Sequence, residues 1–109
     1  MGKIGGICYA YQKVGTVHKL YLYDEVKAKG DFNWETYKYD DSETSAKHFQ
    51  EILEQVGDGD TIELYINSDG GSVKEGTAIF TQLKRCKAYK TGYVDGVANS
   101  IAATILQAC

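Results

Sequence analysis

Residues 61–67, Thr-Ile-Glu-Leu-Tyr-Ile-Asn, alternate strictly, with Ile62, Leu64 and Ile66 on one face and Glu63 and Tyr65 on the other. A period of two is the mark of a half-buried strand. Residues 19–26, Lys-Leu-Tyr-Leu-Tyr-Asp-Glu-Val, repeat the pattern, with Leu20 and Leu22 opposed to Tyr21 and Tyr23. Residues 87–94 read as a third strand. Between these runs the period changes. Ala46, Phe49, Ile52, Leu53 and Val56 fall at helical spacing within 43–56, with Lys47, Gln50, Glu51 and Glu54 opposite. Gly57-Asp58-Gly59-Asp60 stops that helix. Val73, Gly76, Ile79, Phe80 and Leu83 mark the inner face of a second helix over about 72–86. Asp95 to Asn99 read as a turn, and residues 100–108 as a third helix, apolar almost all round.

The order β-α-β-α-β-α predicts an α/β fold whose sheet is mainly parallel, because helices between strands return the chain to the same edge. Residues 27–41 are polar and aromatic, with Gly30 and Asp40-Asp41 as breakers, and read as a loop or a short extra strand. Residues 1–16 are weakly patterned. Ile7, Tyr9 and Tyr11 alternate with Cys8 and Ala10, which fits a short strand or an extended arm. With no repeat, low-complexity stretch or linker, residues 1–109 read as one domain.

Composition narrows the function classes. The net charge is −3, with 43% hydrophobic and 25% charged residues, so neither nucleic acid nor an anionic membrane is implied as a partner. No apolar run approaches the ~20 residues of a membrane helix. The N-terminus is too polar and glycine-rich for a secretory signal, and the cytoplasm is the expected compartment. The three cysteines, Cys8, Cys86 and Cys109, form no C-x-x-C pair, and His18 and His48 have no metal-ligand spacing. No metal or cofactor is therefore implied. The nine tyrosines lie mostly in strand-like segments and read as half-buried sheet surface.

In parallel α/β folds the functional groups collect where strands end and helices begin. Two such junctions carry distinctive residues. The first is Asn67-Ser68-Asp69-Gly70-Gly71-Ser72-Val73. Paired glycines let the backbone turn with positive φ and leave N–H groups uncovered, and donors of that kind hold developing negative charge. Ser72 and Glu75 have capping-box spacing. The second is Asp95-Gly96-Val97-Ala98-Asn99-Ser100-Ile101-Ala102-Ala103, which puts Ser100 at a helix start among small neighbours. Each taken alone also reads as an ordinary turn with its cap.

Together, at their spacing, INSDGGSV at 66–73 and GVANSIAA at 96–103 resemble the proteolytic subunit of the Clp protease, especially its phage and prophage branch. Its strand ends in I-N-S-P-G-G and its nucleophile stands in G-x-A-A-S-M-G or G-x-A-A-S-A-A. Gly71 and Ser100 are 29 residues apart (71 to 100), as that pattern requires. The resemblance spans about residues 18–109. It implies a Clp-protease/crotonase-like fold and a serine endopeptidase with Ser100 as nucleophile. The backbone N–H groups of Gly71 and Ile101 would form the oxyanion hole, with Gly70 giving the close approach. It further implies a polypeptide substrate, a homo-oligomer and an AAA+ ATPase partner.

Asp69 stands where the family has proline, Asn99 where it has alanine, and Cys109 where glycine is common. The family's histidine and acid lie well beyond the nucleophile, and only nine residues follow Ser100 here. The chain thus reads as an N-terminal portion, truncated at the C-terminus and inactive alone. His18 and His48 sit in the wrong regions to replace the base. Two other readings stay open: a crotonase-fold acyl-CoA enzyme, which needs no nucleophilic serine, and a non-catalytic assembly subunit. The apolar third helix is expected to expose hydrophobic surface near the C-terminus and to self-associate through it.

Overall fold

The computed structural model of the chain describes residues 3–4, 7–8 and 11–109. In chain order its elements are β1 (Lys3–Ile4), β2 (Ile7–Cys8), β3 (Tyr11–Val14), β4 (Val17–Leu22), β5 (Lys29–Asn33), β6 (Lys38–Asp41), α1 (Ala46–Leu53), β7 (Thr61–Ser68), α2 (Val73–Arg85), β8 (Tyr89–Ala98) and α3 (Ile101–Leu106). The strictest alternations run side by side. The main sheet has the order β3-β4-β7-β8, with β4, β7 and β8 mutually parallel and β3 antiparallel at one edge. Leu20 pairs with Leu64 and Leu22 with Ile66. All four are fully buried, and they form one core with Phe49 of α1, Ile79 and Leu83 of α2 and Ile105 of α3. The mainly parallel α/β architecture expected from the element order is the one observed.

The other sheet face carries the tyrosines. Tyr21, Tyr65 and Tyr93 stack across β4, β7 and β8 with ring centroids 5.0 Å apart at each step, and Tyr23 meets Tyr21 edge-on. Each step is a cross-strand aromatic pair, which contributes ~0.2–1 kcal/mol to a sheet.

Several boundaries differ from the sequence reading. β4 ends at Leu22, and Val26 returns to form a lone parallel bridge with Gly71. Residues 27–41 contain two strands, not one. β5 and β6 pair antiparallel, Phe32 packs edge-on against Trp34 and Tyr39, and Asn33 Oδ1 accepts from the Glu35 and Thr36 N–H groups to close the turn. Lys29 and Lys47 both donate to Asp41, tying this hairpin to α1 and holding the Asp41 carboxyl at about 2. Of the alternating positions near the N-terminus, Tyr9 and Ala10 lie outside the described residues. Ser72 caps α2 by accepting from the Glu75 N–H, but the Glu75 carboxylate accepts from the Ala46 N–H of α1 instead of closing the box.

The expected turn over Asp95–Asn99 is mostly strand. β8 continues through Ala98, which pairs with Ser68 after an irregularity in the ladder between Ile66 and Ser68. The third helix, read as 100–108, spans Ile101–Leu106. It is not left bare. Ile101, Ala102, Ile105 and Ala108 are buried within the chain's own core. Two glycines make the room. A Cβ on Gly76 would stand 2.2 Å from Ile101 Cγ1, and one on Gly92 2.5 Å from Leu106 Cδ1. The expectation that the third helix exposes hydrophobic surface is thereby corrected. The large apolar side chains exposed in this half of the chain include Tyr89, Tyr93, Val94 and Val97, all on β8.

Candidate active site

β7 and β8 are parallel, so their C-terminal ends lie together and carry the two junctions side by side. The contacts between them run residue by residue. Asn67 Oδ1 accepts from the Val97 N–H at 3.2 Å, and the Asn99 N–H donates to the Ser68 carbonyl at 3.1 Å. The Asn99 side-chain amide donates to Asp69 Oδ1 at 3.0 Å. Gly70 then abuts Ser100: a Cβ on Gly70 would lie 2.9 Å from Ser100 Cβ, 3.0 Å from the Asn99 carbonyl oxygen and 3.4 Å from the Ile101 nitrogen. Any larger residue would wedge the junctions apart.

Ser100 occupies the N-cap position of α3, yet its side chain makes no capping hydrogen bond. Its backbone sits at φ 54°, ψ −128°, a conformation that side-chain-bearing residues rarely adopt and that costs of order 1–3 kcal/mol. An ordinary N-cap serine is extended and uses its oxygen to cap. Here Ser100 is an exposed residue at a strained strand-to-helix corner. The Ala102 and Ala103 N–H groups bond to the Asn99 and Ser100 carbonyls, leaving the Ile101 N–H outside those turn bonds.

Gly70 and Gly71 take φ of +105° and +141°, in the region glycine favours. The Val26 N–H donates to the Gly70 carbonyl at 2.8 Å, and the Ser72 N–H donates to the Val26 carbonyl at 2.7 Å. In such a bridge the N–H and carbonyl of Gly71 itself point away from Val26. An open cleft of about 640 Å³ borders this turn, lined by Tyr23, Asp24, Glu25, Asp69, Gly70 and Gly71 among others. Ser100 stands behind Gly70, not in that lining. Tyr23 donates its hydroxyl to Asp95 across the β4 and β8 ends, which pushes the phenol up to about 12.

Neither histidine joins this site. His18 is fully buried on β4, opposite Ile62 at the start of β7, six residues before Ser68. At ~3.3 Å per residue that is about 20 Å along the sheet. Its Nε2–H donates to Asp60 Oδ2 at 2.7 Å, and its Nδ1 shares a hydrogen bond with the Tyr11 hydroxyl at 2.8 Å. The first bond, then one from the Gly57 N–H, lowers the Asp60 pKa. His48 is half-buried on α1, edge-on to Phe49. His18 therefore serves the fold. His18→Ala should cost about 2–4 kcal/mol through a cavity and an orphaned tyrosine hydroxyl, read as a lower urea midpoint. The Asp60 contribution is fully present above its unfolded pKa of about 3.9 and is lost as pH falls through the lower folded value. Acid titrations of the parent and of Asp60→Asn should thus converge as pH falls through that window and differ fully only above it.

The sequence reading missed three of these features: the Val26 bridge behind Gly71, the Tyr23–Asp95 bond, and the pairing of Asp69 with Asn99. Each joins residues distant in the sequence and leaves no local periodicity.

A family model described as Clp protease matches residues 37–109. Among solved structures, ClpP1 from Listeria monocytogenes and a point mutant of it each superpose with a TM-score of 0.63 at 25% identity. Each match covers 84% of this chain and 46% of the other, so the chain spans about half the length of those structures. No curated protein matches the sequence.

Proposed function

Because the chain belongs to the Clp protease family, we propose that it is part of a serine endopeptidase in which Ser100 attacks the scissile carbonyl. In this reading the Gly71 and Ile101 N–H groups hold the oxyanion that forms, each aligned donor contributing roughly 3–4 kcal/mol to the transition state. The carrying observation is the Ser100 corner, a strained backbone whose hydroxyl caps nothing, packed against a double-glycine turn. The glycine-bared edge at 70–71 and the cleft beside it suit an extended polypeptide substrate laid along the turn. A protein of this kind would work as a homo-oligomer fed by an AAA+ ATPase, in the cytoplasm. It needs no cofactor, since serine, base and backbone donors complete the chemistry.

A serine-directed fluorophosphonate tests the reading on a longer form of the chain that carries the family's histidine and acid, since Ser100 needs a base to react. Mass spectrometry should find the adduct on Ser100 and nowhere else, and Ser100→Ala should abolish it. Adducts spread over other serines, or persisting in Ser100→Ala, would remove Ser100 from its role.

A further inference from the structure

A strained residue keeps its conformation only where its surroundings over-determine it, and Ser100 stands where the regular ladder fails. The β7–β8 pairing loses register between Ile66 and Ser68 and resumes at Ser68–Ala98, where the Asn99 N–H donates to the Ser68 carbonyl at 3.1 Å as the last backbone bond before Ser100. Side chains add two further links there. Asn67 reaches across to the Val97 N–H, and Asn99, the residue before Ser100, reaches back to Asp69, the residue before Gly70. The second link spans the two positions whose neighbours are in contact, Gly70 and Ser100. Both ends are exposed, so the bond does not fill the core, and its geometry bears on the corner alone.

We propose that Asp69 and Asn99 form a latch that positions Ser100 against the Gly70–Gly71 turn. The proposal rests on Ser100 being the nucleophile and assigns the pair no contact with substrate. The carboxylate accepts one hydrogen bond from the amide, fixing the Asn99 side chain and through it the φ of the next residue. Opening the latch lets Ser100 relax toward ordinary N-cap geometry, turning its oxygen inward to the helix and away from the glycine N–H groups. Acceptance of a hydrogen bond is the property that matters, not charge.

The test is a double-mutant cycle of Asp69→Ala and Asn99→Ala, with Asp69→Asn as the conservative variant, in a longer form of the chain that carries the family's histidine and acid, because Ser100 reacts only when a base takes its proton. Two readouts are taken. The first is fluorophosphonate labelling of Ser100, resolved into a maximal rate and a half-saturating concentration. The second is the backbone amide resonances of Gly70, Gly71, Ser100 and Ile101 in ¹⁵N spectra. Each single alanine variant should lower the maximal rate about fivefold to tenfold, as the loss of one hydrogen bond to a charged group allows, with half-saturation unchanged. The double variant should be no worse than either single one. Asp69→Asn, which still offers an amide oxygen, should label within about twofold of the parent. The Ser100 and Ile101 resonances should shift in both alanine variants and return in Asp69→Asn. Additive losses, unchanged rates, or an Asp69→Asn variant as poor as Asp69→Ala would overturn the latch. A parent that resists labelling would refute the nucleophile instead, and the resonances would then decide the latch: coupled shifts uphold it, independent shifts overturn it.

Discussion

Peptide hydrolysis by the 109 residues alone should fall about 10⁶-fold short of the same chain supplied with a positioned histidine and acid. The magnitude follows from how triads fail. A serine hydroxyl is a weak nucleophile until a base takes its proton. Loss of a triad serine or histidine costs about 10⁶-fold, leaving ~10³–10⁴ over water from the oxyanion hole and binding. The structure explains why neither histidine fills the gap. His18 is locked between Tyr11 and Asp60 at the far end of β4, and His48 packs against Phe49 on α1. The measurement compares cleavage of an unstructured fluorogenic peptide by this chain and by a longer form carrying the family's histidine and acid, each beside its Ser100→Ala counterpart. The longer form should be active and lose that activity with Ser100. Ser100-dependent turnover by the short chain would mean that a base reaches the site from another copy. Equal inactivity of both forms would favour the assembly-subunit reading.

The parts of this architecture visible in the sequence were those with short periods. Leu20, Leu22, Ile62, Leu64 and Ile66 alternate, and their burial on one sheet face follows directly. The α1 and α2 faces were likewise legible from Phe49, Ile52, Ile79 and Leu83, whereas Val73, read onto the inner face of α2, is exposed. The junctions were legible as a pair because glycine before a helix and serine at a helix start are chemically distinctive, and their separation matches a known pattern. What stayed hidden depends on the third dimension. Gly76 looks like a helix weakness, a residue ~1 kcal/mol worse than alanine, until Ile101 is found seated in the space it leaves. The apolar third helix looks exposed when the sequence is read locally, because the recesses at Gly76 and Gly92 come from elements earlier in the chain. The strain at Ser100 is invisible for a similar reason. Serine is at home at an N-cap, and only the observed φ of 54° separates this corner from an ordinary one.

Gly71→Ala should remove both stability and reactivity, and the two losses have different origins. At φ +141° an added Cβ would stand 2.3 Å from the Val26 carbonyl oxygen and 2.9 Å from its nitrogen. Both are backbone atoms of a residue fully buried in the core, so no side-chain rotation relieves the clash. The Val26 segment must move, breaking the bonds from Val26 N–H to Gly70 and from Ser72 N–H to Val26. Two net hydrogen bonds at ~1 kcal/mol each, with backbone strain of ~1–3 kcal/mol, give a loss of about 3–5 kcal/mol. That is a large fraction of the ~5–15 kcal/mol holding a domain together. In a longer form carrying the family's histidine and acid, fluorophosphonate labelling of the fraction still folded should drop about 10²–10³-fold if Gly71 is the proposed oxyanion donor. Gly15→Ala separates strain from clash. Gly15 also has positive φ, +60°, but nothing lies within 4 Å of its would-be Cβ. It should cost only about 1–2 kcal/mol and leave Ser100 labelling unchanged. Urea melts of both variants, paired with labelling of each, decide the matter. A Gly71→Ala protein as stable and as reactive as Gly15→Ala would show that Val26 does not bridge to the turn, and the backbone frame proposed for the oxyanion site would have to be redrawn.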